Sequence, residues 1–291
     1  MAIEVTERWP GRASGRSRVL ADRGLLFAGL AFIGFANGVS HRVVAAVRDN
    51  PEQAFFTTFD IGAVAWIALL ASVYLLARAG SGAASRTDVV AAGAALLAFL
   101  TPAAPFAWIA LTCMAPYVAL TSPKHSPQRR GAWILLALTV PLFWSRAAFA
   151  LASDSLLRVD AVLASLLLGT PSRGNSIAFL DGWGYFWVAP PCSSLANVSL
   201  ALLCWVLMTQ ALDRRDTSRL HGLRYCLMAC GAVVAINVMR LVLTGISHRN
   251  YEILHGPLGS FAFGWLIFGV TLAICFHGAT REPRHATAAA G

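Results

Sequence analysis

Apolar runs of membrane-spanning length recur along the whole chain, and nothing constrains its fold more. About 20 mostly apolar residues are needed for a helix to cross the hydrocarbon core. In lipid the backbone must satisfy its own polar groups, which makes such runs helical. Residues 24–40 lie apolar between Arg23 and His41 and form span one, and span two follows at roughly 59–77. The run from 89 to 120 is too long for one span and is interrupted by Thr101-Pro102-Ala103-Ala104-Pro105, so it predicts a tight helical hairpin, spans three and four. Span five runs over about 131–150 with Pro141 inside it and Arg146 near its far end. Spans six, seven and eight are expected at about 193–211, 225–244 and 256–276. The expected fold is an all-α polytopic membrane protein of about eight transmembrane helices.

Composition agrees. Of 291 residues, 57% are hydrophobic and only 13% charged, which is too apolar for a soluble domain of this length. The net charge of +9 does not point to nucleic acid, because the arginines sit in short clusters between apolar runs rather than on one polar surface. They are topology signals. With both termini cytoplasmic, the inner segments carry 16 of the 23 Lys and Arg, and the other seven (Arg42, Arg48, Arg146, Arg158, Arg173, Arg240, Arg249) are spread along the outer side. The N-terminal arginines Arg8, Arg12, Arg16, Arg18 and Arg23 precede an apolar run without a small-residue cleavage site, so it is taken as an uncleaved first span. The organisation predicted is a basic cytoplasmic tail (1–23), a five-span region (24–150), an extracytoplasmic stretch (151–191), a three-span region (192–277) and a cytoplasmic tail (278–291).

The stretch 151–191 is the longest outside the spans. Residues 154–169 are periodic, but Asp154, Arg158 and Asp160 leave a short apolar part, which predicts a helix lying on or half within the surface. A ninth span here would flip everything after it and put Arg214, Arg215, Arg219 and Arg224 outside. Ser176–Leu180, the turn Asp181-Gly182 and the aromatic run Trp183–Val188 carry a hairpin signature, with an irregular aromatic-anchored loop as the alternative.

Ala189-Pro190-Pro191-Cys192-Ser193-Ser194 then opens span six. Proline is tolerated in a first helical turn and not in a helix interior, so the helix starts here and Cys192 stands at its mouth. Unpaired N–H groups and partial positive charge gather at such a terminus and favour a thiolate. Arg240 lies near the outer end of span seven, Asn237 one turn earlier on the same face, and His255 at the outer start of span eight. Up-and-down packing brings these ends to one membrane face. Each residue alone has an ordinary reading: an inert packed cysteine, which is how Cys113, Cys204, Cys226, Cys230 and Cys275 are taken; a snorkelling arginine; an interfacial histidine. Their conjunction at the ends of consecutive helices favours a site. His248, in the same loop, is the rival histidine.

Pro191-Cys192-Ser193-Ser194-Leu195, Asn237-Val-Met-Arg240 and His255-Gly256-Pro257-Leu258-Gly259-Ser-Phe261, in that order and each at a span end, resemble the exosortase/archaeosortase family over roughly residues 130–277. The family's usual Cys-Ser-Gly is Cys192-Ser193-Ser194 here. The resemblance implies a membrane cysteine peptidase or transpeptidase of the cytoplasmic membrane, with its site on the extracytoplasmic side. It implies Cys192 as nucleophile, Arg240 as electrostatic partner and His255 as acid/base. It also implies as partner an exported protein ending in a short motif, an apolar span and a basic tail, whose product passes to an acceptor molecule. Ser193 and Ser194, through their N–H groups, and Asn237 are the expected oxyanion or supporting groups. The histidines are scattered and the cysteines lack paired ligand spacing, so no metal or other cofactor is expected. A membrane acyltransferase with His255 as base, and a non-catalytic transporter or scaffold, are the alternatives from other classes.

Overall fold

The computed structural model describes residues 22–56, 58–78, 82–212 and 219–280. The predicted basic residues Arg8–Arg18, Arg214, Arg215, Arg281 and Arg284 lie outside them. The chain is predominantly helical: α1 Arg23–Asp49, α2 Pro51–Phe56, α3 Ala63–Arg78, α4 Arg86–Leu100, α5 Ala104–Thr121, α6 Pro127–Thr139, α7 Ser145–Leu168, α8 Ser194–Ala211, α9 Arg219–Gly245, α10 His248–His255 and α11 Pro257–Thr280. Among the described residues, six helical stretches are long and apolar enough to cross a membrane: α1, α5, the run Pro127–Leu168, α8, Leu220–Gly245 and Leu258–Thr280. The chain is thus a multi-pass helical membrane protein. Helices α3 and α4 are shorter, at 16 and 15 residues.

The Thr101-to-Pro105 break ends α4 and starts α5 with proline in its first turn, as its sequence predicts. Helices α1, α3, α4, α5 and α6 share one large core containing Phe27, Phe35, Leu69, Leu76, Trp108 and Leu135. Close approach is set by Gly38, where a Cβ would fall 2.6 Å from the Trp108 ring, and Trp108 Nε1 donates to the Gly38 carbonyl at 3.1 Å. At the opposite end of α1, the buried Arg23 pairs with Asp88 at 2.9 Å and donates to Ser122 and Thr121. Tyr117 completes the carboxylate's shell. A charge buried there persists because its donors are used.

Helices α6 and α7 form one 42-residue run joined by a π-helical turn, Val140–Trp144. Pro141 lies in that turn and has no N–H to donate, a common reason for a helix to widen locally. A second break falls at Ala152, whose φ of −145° is not helical. At 1.5 Å per residue the run reaches about 60 Å, about twice the hydrocarbon thickness, so much of it extends beyond one crossing. Arg130 ties this run to α8 by donating to the last carbonyls, Gln210 O at 2.6 Å and Ala211 O at 3.0 Å.

Residues 172–187 form a three-stranded antiparallel sheet rather than an irregular loop: β1 Ser172–Arg173, β2 Ser176–Ala178 and β3 Tyr185–Trp187, in the order β1-β2-β3. Ile177 stands opposite Phe186, and both point into a second core with Leu157, Ala161, Val188, Cys192, Val238 and Leu241. The sheet therefore closes over α7 and α9. Leu180 N–H donates to the Gly245 carbonyl at 2.9 Å, which fastens the hairpin to the end of α9.

Candidate active site

Pro190–Cys192 form a single 3₁₀ turn, and Ser193 is the N-cap of α8, its hydroxyl accepting from Leu195 N–H at 3.3 Å. The helix begins where the prolines predict. Its first donors are already occupied, however. Asp160, buried on α7, accepts from Ser193 Oγ at 2.8 Å and from Ser194 N–H at 2.9 Å, and Ser193 N–H donates to Pro190 O at 3.2 Å. This corrects the expectation that the Ser193 and Ser194 N–H groups serve a reacting oxygen: both already have acceptors inside the protein.

Asn237 lies against the cysteine turn. Its amide donates to Cys192 O at 2.8 Å and to Ser194 Oγ at 3.1 Å. It fixes the main chain of the cysteine from α9. The thiol itself is not at the surface, as a helix mouth facing water would suggest. Cys192 is only 9% exposed and packs in the second core beneath the sheet.

His255 does not open the last span; it is the final residue of the short helix α10. Ser247 caps that helix by accepting from Asn250 N–H at 3.2 Å, which is why a stretch expected as loop is helical. Gly256 ends it and α11 follows from Pro257. Gly259 lets the two helices touch: a Cβ there would fall 2.5 Å from Ile253 O and from Leu254 Cα. This contact carries His255 Nε2 to 3.5 Å from Cys192 Sγ, a hydrogen-bonding distance for sulfur.

Arg240 lies next to the pair. Its Nη2 donates to Leu254 O at 3.1 Å and to Ser260 Oγ at 3.2 Å, and its guanidinium sits 5.8 Å from the Phe263 ring. Both bonds come from one nitrogen, so among the described residues Nε and Nη1 have no acceptor and are free to face a developing oxyanion. Burial, and then the Arg240 charge, hold the His255 imidazole below its ordinary pKa. A neutral imidazole at neutral pH is what a base for a thiol requires. His248 makes other contacts: Trp183 stacks on it at 3.6 Å, Glu252 lies 3.7 Å from Nδ1, and its main-chain N–H donates to Asp181.

Two contributors were passed over in the sequence. Asp160 read there only as a charge interrupting an apolar helix, although its spacing from Leu157, Ala161 and Ala164 places all four on the buried face of α7. Tyr251 sat unremarked in the predicted loop. Its ring stacks on His255 with centroids 4.3 Å apart and planes at 19°.

No protein-family model matches this chain, and neither a curated protein nor a solved structure does. The functional reading therefore rests on the geometry of its own residues and on its short motifs.

Proposed function

We propose that the chain is an integral membrane cysteine peptidase or transpeptidase, similar to exosortases and archaeosortases, that cleaves a C-terminal sorting signal from exported proteins at the outer face of the cytoplasmic membrane. The observation that carries this reading is the 3.5 Å approach of His255 Nε2 to Cys192 Sγ beside Arg240. Three chemically complementary groups from three separate segments meet there, which packing alone does not require.

In this mechanism His255 Nε2 takes the thiol proton as Sγ attacks the scissile carbonyl. The carbonyl oxygen becomes an oxyanion facing the free donors of Arg240; one such donor is typically worth about 10²–10³ in rate. The tetrahedral adduct collapses by breaking the C–N bond, and the proton on His255 goes to the departing amine. That leaves a thioester on Cys192. His255, neutral again, removes a proton from water or from the nucleophile of an acceptor molecule, and attack on the thioester frees the thiol. Asp160 and Asn237 keep the Cys192 turn rigid throughout.

The topology that goes with this reading has eight spans, α3 and α4 included, both termini in the cytoplasm, and α10 with the sheet at the outer face. The positive-inside distribution supports it. The natural partner is an exported protein with a short C-terminal motif, an apolar span and a basic tail, embedded in the same lipid.

The test is coexpression with such a protein, taken from a neighbouring gene, and blotting of substrate and enzyme. Cys192→Ala and Cys192→Ser should insert at the normal level and leave the substrate unprocessed. Full processing by Cys192→Ala ends the peptidase reading.

A further inference from the structure

A thiol–imidazole pair ordinarily has a third group on the far ring nitrogen, which fixes the ring and its tautomer. Here His255 Nδ1 is buried with no hydrogen-bond partner among the described residues. For Nε2 to accept the thiol proton, the resting proton must sit on this orphaned nitrogen, and no carboxylate or amide holds it. Rotation about the Cβ–Cγ bond of a histidine is soft. With one long bond to sulfur as its only polar contact, the ring needs another restraint.

Tyr251 supplies a flat neighbour. It precedes His255 by one helical turn, and the two rings lie nearly parallel at 4.3 Å. An i,i+4 ring contact on one helix is common by itself. This one is buttressed from outside the helix: Phe179, just after β2, and Phe186, in β3, lie 6.1 and 6.2 Å from the Tyr251 ring. His248 also lies 6.2 Å from it, covered by Trp183 and bound at its main-chain N–H by Asp181. The sheet thus reaches the imidazole through Tyr251.

We propose that Tyr251 is the positioning residue of His255, replacing with a ring face the hydrogen bond that the pair lacks, and that the hairpin exists in part to hold it there. The inference rests on the Cys192–His255 pairing of the proposed function. It assigns Tyr251 no contact with substrate and its hydroxyl no role, so the ring alone is required.

The experiment needs no substrate. Alkylation of Cys192 by iodoacetamide is followed by peptide mass spectrometry as a function of pH in the full-length protein, for wild type, His255→Ala, Tyr251→Phe, Tyr251→Leu and Tyr251→Met. Wild type and Tyr251→Phe should show the same His255-dependent profile. Tyr251→Leu and Tyr251→Met should drop to the profile of His255→Ala, about 10²-fold or more slower at neutral pH, the lower edge of what a positioned base contributes. Methionine keeps bulk without a flat face, so its result stands if leucine lowers protein levels. A His255-dependent profile retained in both aliphatic variants overturns the positioning role while leaving the pair intact. A wild-type profile in His255→Ala overturns the pairing itself, and the positioning role with it.

Discussion

The carboxylate of Asp160 accepts the Ser194 N–H at 2.9 Å, so a helix is capped by an acid from a different helix 34 residues upstream. The same oxygen accepts from Ser193 Oγ at 2.8 Å. This puts negative charge against the positive end of α8. The helix terminus is thereby spent on architecture, and the proposed mechanism draws its positive charge from Arg240 instead.

Asp160→Ala should destabilise the protein, because it leaves the Ser193 hydroxyl and the Ser194 N–H buried without an acceptor, at about 1–3 kcal/mol for each such group. Asp160→Asn keeps one acceptor oxygen and the shape, so its loss should be smaller. Thermal unfolding in detergent ranks the three proteins. An unchanged midpoint for Asp160→Ala shows that the cap carries no weight.

Gly259→Ala should act on the site more than on the fold. The added methyl meets main-chain atoms of Ile253 and Leu254 at 2.5 Å, and main chain yields only by moving α10 away from α11. That displaces Leu254 O from Arg240 and His255 from Cys192. Iodoacetamide labelling of Cys192 should lose its His255 dependence while the amount of protein in the membrane holds. Labelling identical to wild type would mean that α10 is not located by this contact.

The helices and the start of α8 were legible because each depends on local chemistry. Apolar length marks a span, Pro190-Pro191 forbids a helix interior, and Asp181-Gly182 between aromatic and apolar runs marks a turn. The structure forms the corresponding elements, with a third strand, β1, added by main-chain pairing that leaves little trace in composition. The bonding inside the site was much less legible. Asn237 stands one turn from Arg240 on the same face, but only the packing of α9 against α8 shows that its amide holds Cys192 O. Asp160 meets Ser194 through the path of α7, which turns on a proline bulge and a kink at Ala152. The stretch before His255 looked like loop because eight residues are too few for helical periodicity to stand out.

Acid should inactivate the site later than an ordinary histidine would. Only neutral His255 can take the thiol proton, and burial together with Arg240 lowers its pKa. As pH falls, the imidazole stays neutral through the ordinary histidine midpoint of about 6.5 and protonates only below it. The acid limb of substrate processing, or of Cys192 alkylation, should therefore lie below that value. Arg240→Gln removes the charge contribution but not the burial, so the limb should move upward in pH. A downward or absent movement would show that Arg240 does not act on His255.

Topology offers a check independent of chemistry. Reporter fusions at His125, between α5 and α6, should give a cytoplasmic signal, and fusions at Arg173, in β1, an outer one. Opposite signals at both positions would invert the chain and put the site on the cytoplasmic face. Cytoplasmic signals at both would require an even number of crossings between them, where this topology has one, and would end the eight-span arrangement.

Arg240→Lys separates an oxyanion partner from an arginine that only anchors a helix end. The guanidinium spends Nη2 on Leu254 O and Ser260 Oγ and keeps Nε and Nη1 for another acceptor. An ammonium has three donors on a single atom, and it cannot hold the α10 carbonyl while presenting a planar pair of N–H groups elsewhere. If Arg240 serves the reaction, Lys should recover little of the processing lost in Arg240→Ala, with a deficit of about 10²-fold or more expected for a missing oxyanion donor. Both variants should accumulate in the membrane. An anchoring arginine predicts the reverse, with Ala lowering abundance and Lys restoring both abundance and processing, since a lysine snorkels as well as an arginine does. Substrate blots normalised to enzyme level distinguish the two patterns.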